Sequence, residues 1–149
     1  MSFNTREFED ILAEAPSTIA RMDNGDLSYK PEENKWSKKE IMGHLVDSSL
    51  YNLRRFTEVM FESKPYKITT YNQDELVRVN RYQNMDIEDI LALWKTTNGR
   101  IIEMIRQMSD AELALFVHLP DNSYQSVEWL IQDYVDHMKH HLNQIYNGK

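Results

Sequence analysis

The chain has 149 residues with 24 acidic and 17 basic side chains, a formal net charge of −7 and no cysteine. That length supports one hydrophobic core without a disulfide or metal staple, so a single domain over residues 1–149 is expected. Acidic residues spread along the chain exclude a basic phosphate-binding face and argue against nucleic acid as a partner, while the missing cysteines exclude disulfides, thiolate ligands and a thiol nucleophile of the chain's own.

MSFNTREFED, residues 1–10, lacks the basic-then-apolar pattern of a secretory signal, and no later stretch approaches the ~20 apolar residues that span a bilayer. A cytoplasmic protein with no membrane partner is expected. Phe8, Ile11, Leu12, Ala15, Ile19 and Met22 recur at helical spacing and predict an amphipathic helix over about residues 5–23. Pro16 lies inside it and, at a cost of about 3 kcal/mol, is expected to kink or split it.

Ser37 and Glu40 form an S-x-x-E capping box, and Trp36 can staple onto Ile41, which predicts a second helix from Ser37 to about residue 62. Ile41, Leu45, Phe56 and Val59 lie on its apolar stripe. Residues 64–83 read as a connecting loop around Pro65, Ile68, Thr69 and Thr70, with a short helix in YNQDELVRVNRYQ. A third helix is predicted from Asp86, with Ile90, Trp94, Thr97, Ile101, Met104 and Met108 in near-heptad spacing. A fourth runs from Ser126 as N-cap to about Tyr146, with Gly148 as its stop. No strand pattern is evident, and four helices with one long crossover between the second and third predict an all-α four-helix bundle.

Three of the chain's five histidines fall in HMKHHLNQI, residues 137–145. The apolar stripe of the fourth helix centres near Tyr134; on a wheel of about 100° per residue His141 lies roughly 20° from that centre, His137 roughly 60° and His140 roughly 120°. His137 and His141 therefore face the bundle and His140 faces water. Their i, i+4 spacing suits two ligands of one metal, although two hydrogen-bonded packing histidines would satisfy the same pattern. His44 sits early in the second helix beside a polar strip of Ser48, Tyr51 and Arg55. If the second and fourth helices are antiparallel, His44 comes level with the pair. Gly43, costing about 1 kcal/mol in a helix, suggests a close approach there.

WSKKEIMGHLVDS, residues 36–48, together with HMKHHLNQI resembles the DinB/YfiT-like superfamily of metal-binding four-helix proteins. That family's pattern joins a tryptophan-serine helix start and G-H-L-x-D-S to a last helix carrying H-x-x-x-H-x-x-Q-[IL]. The matching residues are Trp36, Ser37, Gly43, His44, Leu45, Asp47 and Ser48, then His137, His141, Gln144 and Ile145. KITTYNQDEL also resembles the family's Tyr-Asp-x-Asp loop, with Asn72 where aspartate is common. The resemblance implies an up-down-down-up bundle, a divalent metal, most often nickel or zinc, held by His44, His137 and His141, and a homodimer. It also implies a small-molecule substrate, since members include S-transferases using low-molecular-weight thiols such as bacillithiol or mycothiol, a thiol-dependent isomerase, and proteins called metal-dependent hydrolases.

Three neutral imidazoles leave a metal with net positive charge and an open position, the arrangement of a catalytic rather than a closed structural site. A water at that position has its pKa drawn down to about 7, and a thiol loses its proton more readily still. The leading expectation is a thiol S-transferase with a bacillithiol-like cosubstrate; the alternatives are a hydrolase using hydroxide and a non-catalytic metal-binding or dimerisation bundle. Asp47 and Asp133, each about one turn from a histidine, are candidates to orient a ligand nitrogen. Gln144 can hydrogen-bond near the site. Tyr51, Arg55 and Tyr71 are candidate pocket liners, with Arg55 suited to a carboxylate. His118 has no evident partner.

Overall fold

The computed structural model describes residues 2–148. Four long helices, α1 (Arg6–Ala20), α3 (Lys38–Glu58), α5 (Ile87–Arg106) and α7 (Val127–Asn147), form the bundle. Short helices α2 (Asn24–Ser28) and α4 (Gln73–Asn80) precede α3 and α5, and α6 (Asp110–Leu113) precedes α7. The inward faces of the long helices follow the predicted stripes: Phe8, Ala15 and Ile19 from α1, Leu45, Phe56 and Val59 beside α3, Ile90, Trp94 and Ile101 from α5, and Leu130, Ile131, Met138 and Ile145 from α7 are buried, whereas the predicted Ile41 is only half-buried and Met42 next to it takes the buried position.

Side-chain contacts between helices give each direction. Ser49 meets Asn98 and Thr57 meets Met104, so α3 and α5 run parallel. Glu7 pairs with Lys139 and Glu14 lies near Tyr146, so α1 and α7 run parallel. Ser49 meets Tyr134 and His44 meets His141, so α3 and α7 are antiparallel. Up-down-down-up follows, and residues 59–86 form the long crossover that lets α5 restart beside the beginning of α3.

Several local expectations are corrected. Pro16 does not split α1, which is continuous from Arg6 to Ala20. Its ring is only half-buried and the adjoining turns are anchored by Ala15 and Ile19, whose burial holds the helix together across the missing donor. The second predicted helix ends at Glu58 rather than near 62, finishing in turns whose Met60 and Phe61 N–H groups bond to Thr57 and Glu58 carbonyls. The expectation of no strands fails at one end of the bundle. β1 (Tyr66–Lys67), β2 (Phe116–His118) and β3 (Tyr124–Ser126) form a small sheet in the order β1-β2-β3, with β1 parallel and β3 antiparallel to β2. Strands of two or three residues are too short for an alternating pattern to register.

YNQDELVRVNRYQ is a helix only to Asn80. Arg81 turns left-handed at φ 54°, and a 3₁₀ turn follows over Tyr82–Asn84. A non-glycine residue in that conformation costs about 1–2 kcal/mol, which the contacts of the next two residues offset. Tyr82 packs on the face of α3 that Gly43 leaves open, and Gln83 bonds to Ser37 and to the Ser28 carbonyl.

Candidate metal centre

The first turn of α3 is closed by the predicted capping box. Ser37 Oγ accepts from the Glu40 N–H at 3.1 Å, and Glu40 Oε1 accepts from the Ser37 N–H at 3.0 Å and from Lys30 Nζ at 2.5 Å. This fixes the helix two turns before His44. At the other side, α7 starts from Ser126, whose hydroxyl accepts from the Trp129 N–H at 3.0 Å, and Gly148 ends it. Two rigid helices thus carry the histidines.

His44, His137 and His141 converge, each offering one ring nitrogen within 4.8 Å of the others. The ring centroids lie 4.5–5.3 Å apart, and all three pairs of planes cross at 75–79°. Nε2 of His137 and Nε2 of His141 are 3.1 Å apart. Two nitrogens bound about 2 Å from one tetrahedral ion would sit about 3.3 Å apart, so this pair is spaced for a shared cation. Gln144 Oε1 lies 2.8 Å from His141 Nδ1 and, as an acceptor, directs the ring proton to Nδ1 and leaves the Nε2 lone pair facing the cluster.

His44 has no exposed surface, and neither of its ring nitrogens has a hydrogen-bond partner among the described residues. Two unpartnered buried nitrogens are costly, and an ion bound by one of them fits the donor set. Burial, followed by the neighbouring imidazoles, lowers the His44 pKa to about 3 and that of His137 to about 4. Burial lowers that of His141 as well. All three are therefore neutral donors at pH 7. His140 is exposed, as its helical phase predicts, and meets Gln144 at 3.4 Å.

A cleft of about 630 Å³ opens beside His141 and Gln144, with Trp36, Ile41, Gln73 and Asp74 among its walls. Trp36 also covers His44, its ring 4.9 Å away and tilted by 33°. This cleft is large enough for a small molecule.

The remaining candidates are distributed around this centre. Asp47 is buried, and its Oδ1 accepts from the Tyr82 hydroxyl at 2.5 Å and from Asn80 Nδ2 at 3.2 Å. Asp133 is exposed on α7 and makes no hydrogen bond to His137. Tyr51 stacks on Tyr71 at 4.3 Å, and Arg55 lies 5.4 Å from the Tyr71 ring while donating to the Thr69 carbonyl at 2.5 Å. Those three form a cluster of their own, two to three turns along α3 from His44. Asn72 accepts from the Glu75 N–H at 3.1 Å as the N-cap of α4, a role in which asparagine equals aspartate. His118 stacks on its cross-strand neighbour Tyr124 at 4.8 Å and is not part of the histidine cluster.

Sequence reasoning missed Trp36 as the cover of His44, and Asn80, Tyr82 and Gln83 as the support behind α3. Gly43 was the signal for the latter, because a Cβ there would lie 2.1 Å from the Tyr82 ring.

Comparisons with known proteins agree with this architecture. The chain is 26% identical over 140 residues to "Putative metal-dependent hydrolase BH0277" of Halalkalibacterium halodurans, covering 94% of this chain and 81% of that one. It is 23% identical to "Putative metal-dependent hydrolase YfiT" of Bacillus subtilis over 92% of this chain and 77% of the relative. The solved YfiT structure, described as having an unusual four-helix bundle topology, superposes with a TM-score of 0.80 at 23% identity over 95% of this chain and 83% of that one. The sequence profile of the DinB superfamily matches residues 7–145. With nearly its whole length matched, the chain belongs to the DinB superfamily.

Proposed function

We propose that this protein is a metal-dependent enzyme in which His44, His137 and His141 hold a divalent ion, nickel or zinc, and in which a low-molecular-weight thiol is transferred to a small electrophile. The observation that carries this reading is the fully buried His44 ring, unpartnered at both nitrogens and set against two more neutral imidazoles. A divalent cation held there supplies positive charge that favours the deprotonated form of a thiol or water nucleophile.

The chain's own residues do the rest. His141 is held in one tautomer by Gln144, Trp36 excludes water from one side of His44, and the adjoining cleft admits a small molecule. Among the described residues no carboxylate joins the three histidines, so an ion held there would keep its full charge for the nucleophile. A chain without cysteine takes its thiol from outside. Hydrolysis, with water as the nucleophile, is the second reading, favoured by the names of the relatives.

Metal analysis of protein purified without a histidine tag tests the site first. About one ion per chain is expected in the wild type and a large loss in His141→Ala; equally low metal in both would overturn the assignment. The loaded protein is then incubated with a chlorinated aromatic electrophile and a panel of thiols. Conjugate formation that needs a thiol supports transfer, thiol-independent turnover supports hydrolysis, and no turnover with any pair leaves a non-catalytic metal-binding bundle. The homodimer implied by the family resemblance is checked by light scattering on the same samples.

A further inference from the structure

One turn beyond His44, the carboxyl of Asp47 is 3% exposed and its two oxygens have unlike surroundings. Oδ1 accepts hydrogen bonds from Tyr82 and Asn80. Oδ2 is equally buried and has no partner among the described residues. Anchoring the 3₁₀ turn at Tyr82 requires a single acceptor oxygen, which asparagine would supply without burying a charge. Burial raises the pKa of this carboxyl, which is the mark of that cost. Oδ2 therefore calls for an explanation of its own.

The same turn of α3 carries two more unpartnered buried atoms, Nδ1 and Nε2 of His44. Only one of them can face an ion shared with His137 and His141. The other then bears the proton of the neutral ring, and metal-ligating histidines almost always donate that proton to a carboxylate, a carbonyl or a water. On α3 the two residues lie about 60° apart around the axis, with Cβ atoms about 5–6 Å apart. No direct hydrogen bond joins them, so a link between them would take a bridging water.

We propose that Asp47 is a positioning residue for the metal centre: its Oδ2 accepts, through one buried water, the proton on the His44 nitrogen that does not face the ion, while Tyr82 and Asn80 brace the carboxylate through Oδ1. This rests on the three-histidine reading above. Tyr82 packs its ring onto Gly43 and at the same time places its hydroxyl 2.5 Å from Asp47 Oδ1.

Asp47→Asn separates this role from a structural one. The amide oxygen can keep both bonds to Tyr82 and Asn80, while an NH₂ donor replaces the Oδ2 acceptor. The expected result is an unchanged denaturation midpoint, a nickel dissociation constant weakened roughly 10–100-fold, and a change in the His44 tautomer read from ring ¹⁵N shifts in metal-free protein. Tyr82→Phe, which loosens the brace and leaves Oδ2, is expected to weaken nickel binding by less. Wild-type nickel affinity in Asp47→Asn with an unaltered His44 tautomer would overturn the inference. Should the wild type itself bind no nickel, the three-histidine reading fails, and the tautomer comparison in metal-free protein still decides for or against Asp47. If Asp47→Asn does not fold, Tyr82→Phe decides: weakened nickel binding with an altered tautomer supports the role, and wild-type values in both overturn it.

Discussion

His44 illustrates how a binding residue is costly to the protein that carries it. A fully buried imidazole whose ion-facing nitrogen has no partner among the described residues destabilises the metal-free fold. Replacing it with leucine, similar in volume and without polar atoms, should therefore stabilise the metal-free protein by about 1–2 kcal/mol at pH 7, as measured by urea denaturation, and should abolish metal binding. The same residue predicts a pH dependence. With folded-state values of about 3 for His44 and about 4 for His137 against an ordinary 6.5, the unfolded chain binds protons that the folded chain does not. Stability of metal-free protein should fall as pH drops below 6.5 towards 4, because stability rises with pH wherever the unfolded state holds more protons. The slope should be shallower in His44→Leu, and an equal slope would assign the acid sensitivity to other groups. At this scale the sequence was a good guide to His137, His140 and His141, because helical phase is a local property. It singled out Asp47 as a candidate to orient a ligand nitrogen but gave no sign of its partners Asn80 and Tyr82, which lie 33 and 35 residues away.

At the scale of elements, the start of α3 is the best-supported segment of the site. Ser37 serves both the capping box and the bond to Gln83. Ser37→Ala should lower stability by about 1–2 kcal/mol, the upper range for an N-cap, and loosen the turn behind the histidines. Gly43→Ala should be worse. A Cβ would fall 2.1–2.2 Å from Tyr82 ring carbons, so the ring must move, at about 1–3 kcal/mol against a helix-propensity gain of about 1 kcal/mol. In a Tyr82→Ala background the same change should be neutral or stabilising, and a double-mutant cycle by chemical denaturation measures the coupling. The cap was legible because S-x-x-E is a short-range signature. The small sheet was not, since each strand has too few residues to show a period and its pairing joins Tyr66 to Val117, far apart in the chain.

The whole molecule brings the two histidine-bearing segments together through a buried polar network as well as through apolar packing. Tyr134 donates to Asn98 Oδ1 at 2.6 Å and lies 2.8 Å from Ser49 Oγ, and Asn98 in turn donates to Ser49 and to the Trp94 carbonyl. One satisfied network thus ties α3, α5 and α7 in register, midway along the bundle from the metal end. Because a ligand that binds only the folded state stabilises it, zinc or nickel at 100-fold excess over its dissociation constant should add about 2.7 kcal/mol. For a chain of this size that is a rise in Tm of roughly 5–10 °C. Differential scanning fluorimetry with and without metal reads it, and the rise should vanish in His141→Ala. Among the described residues no helix is long and apolar enough to cross a membrane.

By itself the sequence determined the four long helices, the caps of α3 and α7, and which face of α7 the histidines occupy, since each depends on residues within a turn or two of one another. Only the tertiary structure decided that Trp36 covers His44, that Arg81 is strained so that Tyr82 can brace Asp47, and that a cleft opens beside His141. Those relations join residues on different elements or far apart in the chain, and packing free energy rather than local propensity selects them.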